Sequence, residues 1–192
     1  MRGKIIENVT IMTKMMLQML VKEGYRCIDA TTGNGHDTKF LSDIVGPEGM
    51  VYGFDVQEKA IEMTQAQLEG RDNYKLICDG HQNMENYIKE QVDFVIFNLG
   101  YLPKADKSIT TLKETTLEAI KASLRLLKTH GILWVVVYPG HEEGAEESEA
   151  LNIYLKSLNQ KDYSVMKSSF INQRNKPPYI LAIEKKCKKE FK

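Results

Sequence analysis

The sequence predicts an α/β fold, with a mostly parallel sheet of seven strands and helices on both faces. Short apolar runs of β type alternate with stretches of helical length, which is the order of βαβ units. The runs are apolar almost throughout, as in strands covered on both faces. The last two follow each other without a helix, which predicts an antiparallel C-terminal hairpin. The predicted strands are 26–30, 50–55, 74–78, 92–98, 131–138, 164–170 and 179–184, and the predicted helices between and after them are 36–45, 57–69, 82–89, 110–128 and 143–159.

An additional amphipathic helix is predicted at the N-terminus, over residues 5–22. Apolar side chains recur there at helical spacing, and several of them are methionines: Ile5, Val9, Met12, Met16, Met19 and Leu20. This face is expected to pack on the core. The alternative is a partner surface, since flexible thioethers adapt to irregular shapes.

The length of 192 residues suits one domain, over 1–192. Lysine plus arginine and aspartate plus glutamate number 26 each, so no global positive charge attracts nucleic acid. An RNA substrate would need a local patch, for which the lysine-rich tail 185–192 is the candidate; a solvated terminus is the alternative.

The cysteines and histidines point to no metal site. Three cysteines without a CxxC pair and four scattered histidines lack the spacing of metal ligands. The three cysteines fit reduced thiols, as in a cytosolic protein. No apolar stretch of the sequence approaches the ~20 residues of a membrane span. We therefore expect a cytoplasmic protein without a metal.

Chemistry is expected where the parallel strands end, because ligands of such sheets bind beyond the carboxyl ends of the strands. After the first strand comes a turn, Asp29-Ala-Thr-Thr-Gly-Asn-Gly-His-Asp37, whose glycines let backbone approach a ligand. The second strand ends at Asp55, 20 residues after Gly35, where a carboxylate can accept hydrogen bonds from two ribose hydroxyls. The third strand ends just before Asp79 and His81. The acid can accept a hydrogen bond from the adenine amino group, and an adjacent side chain can pack on the adenine ring.

A nicotinamide dinucleotide is the competing cofactor. Its fingerprint requires a third glycine where this chain has Thr38, and Asp37 at the start of the helix would repel a pyrophosphate. A cationic sulfonium fits this acidic turn better, so S-adenosylmethionine is the expected cofactor. A non-catalytic cofactor-binding or RNA-binding module is a further alternative.

Six motifs, DATTGNGHDTKFL, FDVQ, CDGH, NLGYLP, YPGH and NQRNKPP, together resemble a small family of rRNA methylases within the class I, Rossmann-like methyltransferases. The resemblance covers nearly the whole chain. It implies N-methylation, with S-adenosylmethionine, of 5-aminomethyl-2-thiouridine at the wobble position in the anticodon loop of tRNA, as carried out by members in Gram-positive bacteria. Ribosomal RNA or a small amine is the alternative substrate.

The same resemblance assigns roles around the cofactor by position. It implies that the methionine part is surrounded by Asp29, Gly33, Asn34, Gly35 and Asp37, the ribose held by Asp55 and Gln57, and the adenine held by Asp79 and His81. The chain departs from the usual class I loop at Thr31, which stands in place of the first of three glycines. A threonine hydroxyl there could itself bond the cofactor.

The transfer site is expected after the fourth strand, in Asn98-Leu-Gly-Tyr101. Amine methyltransferases often carry an Asn or Asp, two prolines and an aromatic there, and this chain matches at Asn98 and Tyr101. Asn98 would orient the amine and Tyr101 would stack on the base; a strand-ending turn with a packed tyrosine is the alternative. His141, after the fifth strand, is a candidate proton acceptor or a residue capping the next helix.

A substrate-binding turn is predicted before the last strand. It combines amides, cations and an aromatic in a stiff segment containing Arg174, Asn175, Pro177 and Tyr179, a composition that suits a nucleotide. A proline break within the hairpin is the alternative. A homodimer is a further option, since a second subunit could supply an RNA-binding surface that one neutral domain lacks.

Overall fold

The computed structural model describes residues 8–100 and 111–187. The helices are α1 Val9–Leu20, α2 His36–Val45, α3 Glu58–Gln67, α4 Met84–Tyr87, α5 Lys113–Leu126 and α6 Glu142–Ser157. The strands are β1 Arg26–Asp29, β2 Met50–Asp55, β3 Tyr74–Cys78, β4 Val92–Asn98, β5 Leu127–Val137, β6 Tyr163–Ser168 and β7 Tyr179–Lys185. A 3₁₀ turn, His81–Asn83, leads into α4.

The strands form one sheet in the order β3-β2-β1-β4-β5-β7-β6. The pairs among β1 to β5 are parallel, whereas β7 runs antiparallel to both β5 and β6. The predicted fold class, including the antiparallel C-terminal pair, is therefore confirmed. Because the chain leaves β1 towards β2 and later returns on its other side as β4, the crevice beyond the carboxyl ends of β1 and β4 is the topological switch point, where ligands bind in such sheets.

Several element boundaries differ from the prediction by a few residues, and two of the differences have clear local reasons. Helix α1 begins at Val9 because the side chain of Asn8 accepts a hydrogen bond of 2.8 Å from the N–H of Thr10 and caps the helix; residues 5–7 lie outside the described part. Strand β5 begins at Leu127, within the predicted fifth helix. Its first residues pair irregularly with β4 and include His130 at a φ of 65°, a bulge that apolar periodicity does not reveal.

Hydrophobic side chains cover both faces of the sheet. On one face α1 and α2 pack Leu17 and Leu41 against Phe94 and Trp134, and on the other α4, α5 and α6 pack against a second cluster that includes Phe97. Met12 and Met16 of α1 contact the first cluster as predicted. Met19 does not: it is 72 % exposed, because it lies on the solvent side of the helix. In the described ranges no helix is long and apolar enough to cross a membrane.

Candidate active site

The turn after β1 is built on the carboxylate of Asp29, which is buried at the end of that strand. It accepts hydrogen bonds from the N–H of Thr31 at 3.2 Å and from the hydroxyl of Thr38 at 2.6 Å, so it ties β1 to the first turn of α2. Burial raises the pKa of Asp29 to about 7, and the nearby Asp37 carboxylate adds to the shift. Asp29 therefore shapes the turn and holds a proton near neutrality in the absence of a cation.

Glycine is required in this turn by conformation and by space. Gly33 and Gly35 have φ angles of 54° and 78°, in the left-handed region that other residues rarely adopt. A Cβ on Gly35 would lie 2.9 Å from the Cα of Thr64 on α3, so the helix packs directly on the turn. Asn34 lies between them, and its carbonyl accepts a hydrogen bond from the side chain of Gln67.

Asp55, at the end of β2, joins this turn to the second strand. One of its oxygens accepts a hydrogen bond from the N–H of Gly33 and the other from the N–H of Gln57, each at 2.9 Å. Each carboxylate oxygen can accept a further hydrogen bond. The half-exposed side chain thus retains acceptors for the two ribose hydroxyls for which it was predicted, and the positions of Asp55 and Gln57 suit that role.

Asp79, after β3, accepts three hydrogen bonds: from its neighbour Gly80 at 2.7 Å, from the side chain of Asn83 at 2.9 Å and from the hydroxyl of Tyr87 at 2.8 Å. The Asn83 and Tyr87 bonds lower the pKa of Asp79, so it stays a carboxylate that can accept from an amino group. Sequence reasoning missed these two partners, although their spacing of four and eight residues from Asp79 on a helical segment was a signal for them.

His81, which was predicted to hold the adenine, follows β3 in the 3₁₀ turn. It is buried, its Nδ1 lies 3.0 Å from the carbonyl oxygen of Ala30, and its ring packs edge-on against Phe97. Because a carbonyl only accepts, Nδ1 carries the hydrogen, and burial lowers the pKa of the ring so that it stays neutral. His81 therefore stabilises the turn after β1 through its hydrogen bond to Ala30.

Asn98 ends β4 at the switch point and is bound twice to the cofactor turn. Its backbone N–H donates a hydrogen bond of 2.7 Å to the hydroxyl of Thr31, and its side-chain NH₂ donates to the carboxylate of Asp37. The hydroxyl of Thr31, which occupies the place of the first glycine, thus bonds the fourth strand. The threonine itself was the sequence signal of an altered loop, but its partner, 67 residues away, was not readable.

Asp37, in the first turn of α2, brings a second carboxylate to the same place. Burial raises its pKa, while Lys14 of α1, His36 and the Asn98 bond act in the opposite direction. With Asp29 and Asp55, three carboxylates surround the turn. Such a group fits a ligand with an ammonium and a sulfonium and disfavours a pyrophosphate.

His141 precedes α6, beyond the end of β5, and is half-buried with an extended φ of −128°. A Cβ on Gly144 would lie 2.6 Å from its Cε1 and 2.3 Å from the carbonyl oxygen of Tyr138, so the helix start is closed tightly around the ring. Strand β5 pairs with β4 through Val136 and Asn98, which puts the segment after β5 beside the predicted transfer site. Tyr101 lies outside the described residues.

The predicted substrate turn is exposed except at its end. Arg174 and Asn175 face solvent, with Asn175 at a φ of 65°, and Pro177 is half-buried. Tyr179 is only 5 % exposed; its hydroxyl is bonded to Ser148 and Asn152 of α6. Its ring belongs to the core, with Nζ of Lys167 over it at 3.9 Å from the ring centroid, and leaves little surface for a base.

In the described part of the lysine-rich tail, residues 185–187, both lysines make hydrogen bonds to backbone carbonyls. Lys185 donates from Nζ to the carbonyl oxygens of Leu124 and Leu127, at 2.9 and 2.7 Å, and so caps the C-terminal end of α5. Lys186 donates to the carbonyl of Gln160 at 2.7 Å. Both lysines therefore make hydrogen bonds within the protein, and the RNA patch predicted for this tail stays a prediction because residues 188–192 lie outside the described part. The described ranges contain no group of three side chains suited to a metal ion.

Comparison with known proteins places this architecture in a family. The family model described as "Putative rRNA methylase" matches residues 51–184. The chain is 35 % identical to the chloroplastic tRNA (mnm(5)s(2)U34)-methyltransferase of Arabidopsis thaliana, over 93 % of this chain and 70 % of that protein.

Two solved structures are similar over nearly their full length. A protein from Clostridium thermocellum described as "putative rRNA-methylase" is 47 % identical, with a TM-score of 0.90 over 93 % of this chain and 97 % of that one. A protein from Streptococcus mutans described as "a putative methyltransferase", in complex with SAH, is 40 % identical, with a TM-score of 0.83 over 96 % of this chain and 99 % of that one. On this fold, with these carboxylates at the ends of its strands, the chain belongs to the rRNA methylase family and is a class I methyltransferase that uses S-adenosylmethionine.

Proposed function

We propose that this methyltransferase acts on the primary amine of 5-aminomethyl-2-thiouridine at the wobble position of tRNA and gives the methylaminomethyl nucleoside. The observation that carries the choice of substrate is the similarity, over 93 % of the chain, to an enzyme named for that product. The transfer site is compatible with it, because a carboxamide, at Asn98, stands at the switch point beside the cofactor turn.

The residues present suit the cofactor part by part. Asp55 would hold the ribose and Asp79 the adenine amino group, since both keep acceptor capacity. Asp29 and Asp37 would face the charged methionine end, and the left-handed glycines Gly33 and Gly35 would let backbone approach it. When bound, the cofactor supplies an electrophilic methyl group on a sulfonium, from which a neutral thioether leaves readily.

The protein must then present the amine with its lone pair available. An alkyl amine is largely protonated near neutrality, so it has to lose a proton before it reacts. The nitrogen forms a bond to the methyl carbon as the carbon–sulfur bond breaks, the bonding electrons stay on sulfur, and a second proton leaves the nitrogen. We assign the orientation of the amine to Asn98, the uptake of a proton to His141 and stacking on the base to Tyr101. Positioning supplies most of the catalysis in such a displacement.

The RNA would be met by the exposed turn before β7. Arg174, Asn175 and Pro177 lie there, with a cation and an amide suited to phosphate and base contacts. A wobble base is unpaired and can be splayed into a pocket without opening a duplex. Because the net charge is zero, few phosphates would be neutralised and the salt dependence of binding would be moderate. A homodimer would widen this surface, and light scattering of the purified protein tests for it.

Ribosomal RNA is the second candidate substrate, because the matching family model carries an rRNA methylase description. The two substrates predict different products from the same assay. Purified protein and S-adenosylmethionine are incubated separately with ribosomal RNA and with tRNA from cells that accumulate the aminomethyl nucleoside, and nucleosides are measured by mass spectrometry.

The proposal expects the aminomethyl nucleoside to disappear as the methylaminomethyl nucleoside forms, with Asn98→Ala as the matched, nearly inactive control. Persistence of the aminomethyl nucleoside while ribosomal RNA gains a methyl group would assign the enzyme to ribosomal RNA.

A further inference from the structure

We propose that Asp37 is a positioning residue that fixes which end of the Asn98 carboxamide faces the substrate amine. This inference rests on the proposed function, in which Asn98 meets the amine. The two residues belong to different elements, the first turn of α2 and the end of β4, and are 61 positions apart. Their side chains meet at the switch point of the sheet.

A carboxamide has two ends of nearly the same shape and opposite hydrogen-bonding character. Sterically, Asn98 fits either way round, so the neighbouring groups decide its orientation. An ionised Asp37 only accepts hydrogen bonds, and it takes one from the NH₂ of Asn98. The opposite orientation would set the amide oxygen of Asn98 against the carboxylate oxygen of Asp37, without a hydrogen between them.

The orientation matters because of the electrons that react. With its NH₂ engaged by Asp37, Asn98 has its oxygen left to accept a hydrogen from the amine, and the nitrogen lone pair points elsewhere. A reversed amide would donate a hydrogen bond to that lone pair and occupy the electrons that must form the new bond to carbon. Asp37 therefore selects the reactive arrangement without touching the amine.

Neighbouring contacts hold both partners in place. The backbone N–H of Asn98 donates a hydrogen bond of 2.7 Å to the hydroxyl of Thr31, which fixes the backbone from which the Asn98 side chain extends. Burial raises the pKa of Asp37, whereas Lys14 from α1, its own neighbour His36 and the Asn98 bond favour its ionised form. Asp29 of β1 and Tyr138, after β5, interact with the same carboxylate.

Two substitutions separate orientation from charge. Asp37→Asn removes the charge but keeps an oxygen that can accept from Asn98, so the reactive pairing stays available although the reversed pairing is no longer repelled. Asp37→Ala removes both the charge and the acceptor. Losing the charge should weaken cofactor binding to a similar degree in both variants. The kcat for RNA should fall about 100-fold in Asp37→Ala, the scale of a misplaced reacting group, and much less in Asp37→Asn. Equal loss of kcat in the two variants would mean that only the charge of Asp37 matters, and would overturn the inference.

An exchange of the two side chains gives an independent check. Asn98→Asp alone sets two carboxylates against each other and should be nearly inactive. The double variant Asp37→Asn with Asn98→Asp restores the hydrogen bond with the donor on residue 37 and again leaves an oxygen for the amine, so it should regain turnover over the single variant. A double variant no faster than Asn98→Asp would contradict the inference.

The orientation can also be measured without RNA. The ¹H–¹⁵N signal of the Asn98 side chain is identified by its absence in Asn98→Ala. Its position and slow solvent exchange should be lost in Asp37→Ala and largely kept in Asp37→Asn. An unchanged signal in Asp37→Ala would overturn the inference whatever the wild type methylates, whereas a wild type inactive on the aminomethyl tRNA would overturn only the proposed substrate.

Discussion

The hydroxyl of Thr31 accepts a hydrogen bond of 2.7 Å from the backbone N–H of Asn98. This bond connects the cofactor turn after β1 with the end of β4, where the methyl group is expected to be transferred. The first glycine of the usual loop would leave that N–H without this partner. In this chain the threonine therefore gives up close backbone approach at one position and joins the two halves of the active site.

Replacing Thr31 by Val should remove the hydrogen bond between the cofactor turn and the end of β4, with little change in side-chain volume. The Asn98 N–H loses its acceptor, which costs about 1 to 3 kcal/mol where the group is shielded from water, and kcat should fall more than cofactor affinity. Urea unfolding and steady-state kinetics measure the two effects. Thr31→Ser keeps the hydroxyl and serves as the control; if Thr31→Ser and Thr31→Val lose equal activity, the hydroxyl is not what matters.

Replacing Asp55 by Ala should weaken the binding of S-adenosylmethionine and of its demethylated product alike. The ribose hydroxyls lose their acceptor and the N–H groups of Gly33 and Gln57 lose theirs, for a loss of about 1.5 to 3 kcal/mol in each case. Calorimetry with both ligands measures this. Glu58, the next acid along the chain, is exposed, so Glu58→Ala should bind normally; unchanged affinity in Asp55→Ala would remove Asp55 from the ribose role.

The stability of the ligand-free protein should depend on pH through Asp29. Its pKa is raised from 3.8 to about 7 in the folded chain, so the folded state holds a proton that the unfolded chain has released. Its contribution to the free energy of unfolding is therefore fully present at acidic pH and is lost as the pH rises towards 7. Asp29→Asn keeps an acceptor for Thr38 and has no proton to lose, so the wild type should lose stability relative to this variant between pH 4 and 7. Parallel urea midpoints for the two proteins across that range would contradict the prediction.

Glu147 should prove important for stability although it lies outside the cofactor site. It is buried on α6, and its two oxygens accept from the hydroxyls of Thr116 at 2.6 Å and Thr111 at 3.1 Å; Thr111 in turn accepts from the N–H of Gly100 at 2.9 Å. Glu147→Ala leaves hydroxyls unpaired and opens a cavity, at a cost of about 2 to 4 kcal/mol. Glu147→Gln keeps the volume and should cost clearly less. Urea unfolding of both variants checks this, and equal losses would assign the effect to the charge.

The parts of the fold that follow from periodicity were predicted closely. Strands β2, β3 and β4 have the predicted bounds, because each is a short apolar run between turn residues. The acids at the strand ends were placed near one another because parallel strands present their carboxyl ends at one edge. Their functions remain predictions, but their common location did not require the coordinates.

The contacts that could not be predicted are those between residues far apart in sequence. Nothing near His81 indicates that its ring lies under the carbonyl of Ala30, 51 residues away, and nothing near Tyr179 indicates a hydroxyl bonded to α6. His81 was assigned to the adenine by its place after the third strand and by the family resemblance, and Tyr179 to the substrate by the composition of its turn. Tertiary packing instead sets the ring of His81 against Ala30 and the hydroxyl of Tyr179 against α6. The periodicity of the sequence carries no information on such long-range pairs.

The place of β7 in the sheet sets the order in which the molecule can be completed. Residues 179–185 form an interior strand, with β5 on one side and β6 on the other. Until they are available, β5 presents an open edge of unpaired backbone groups, and β6, made earlier in synthesis, has no strand to join. The edge of β5 therefore stays open from the synthesis of residue 137 until residues 179–185 are available to pair with it. Native pairing of the final two strands must follow release of nearly all the described chain from the ribosome.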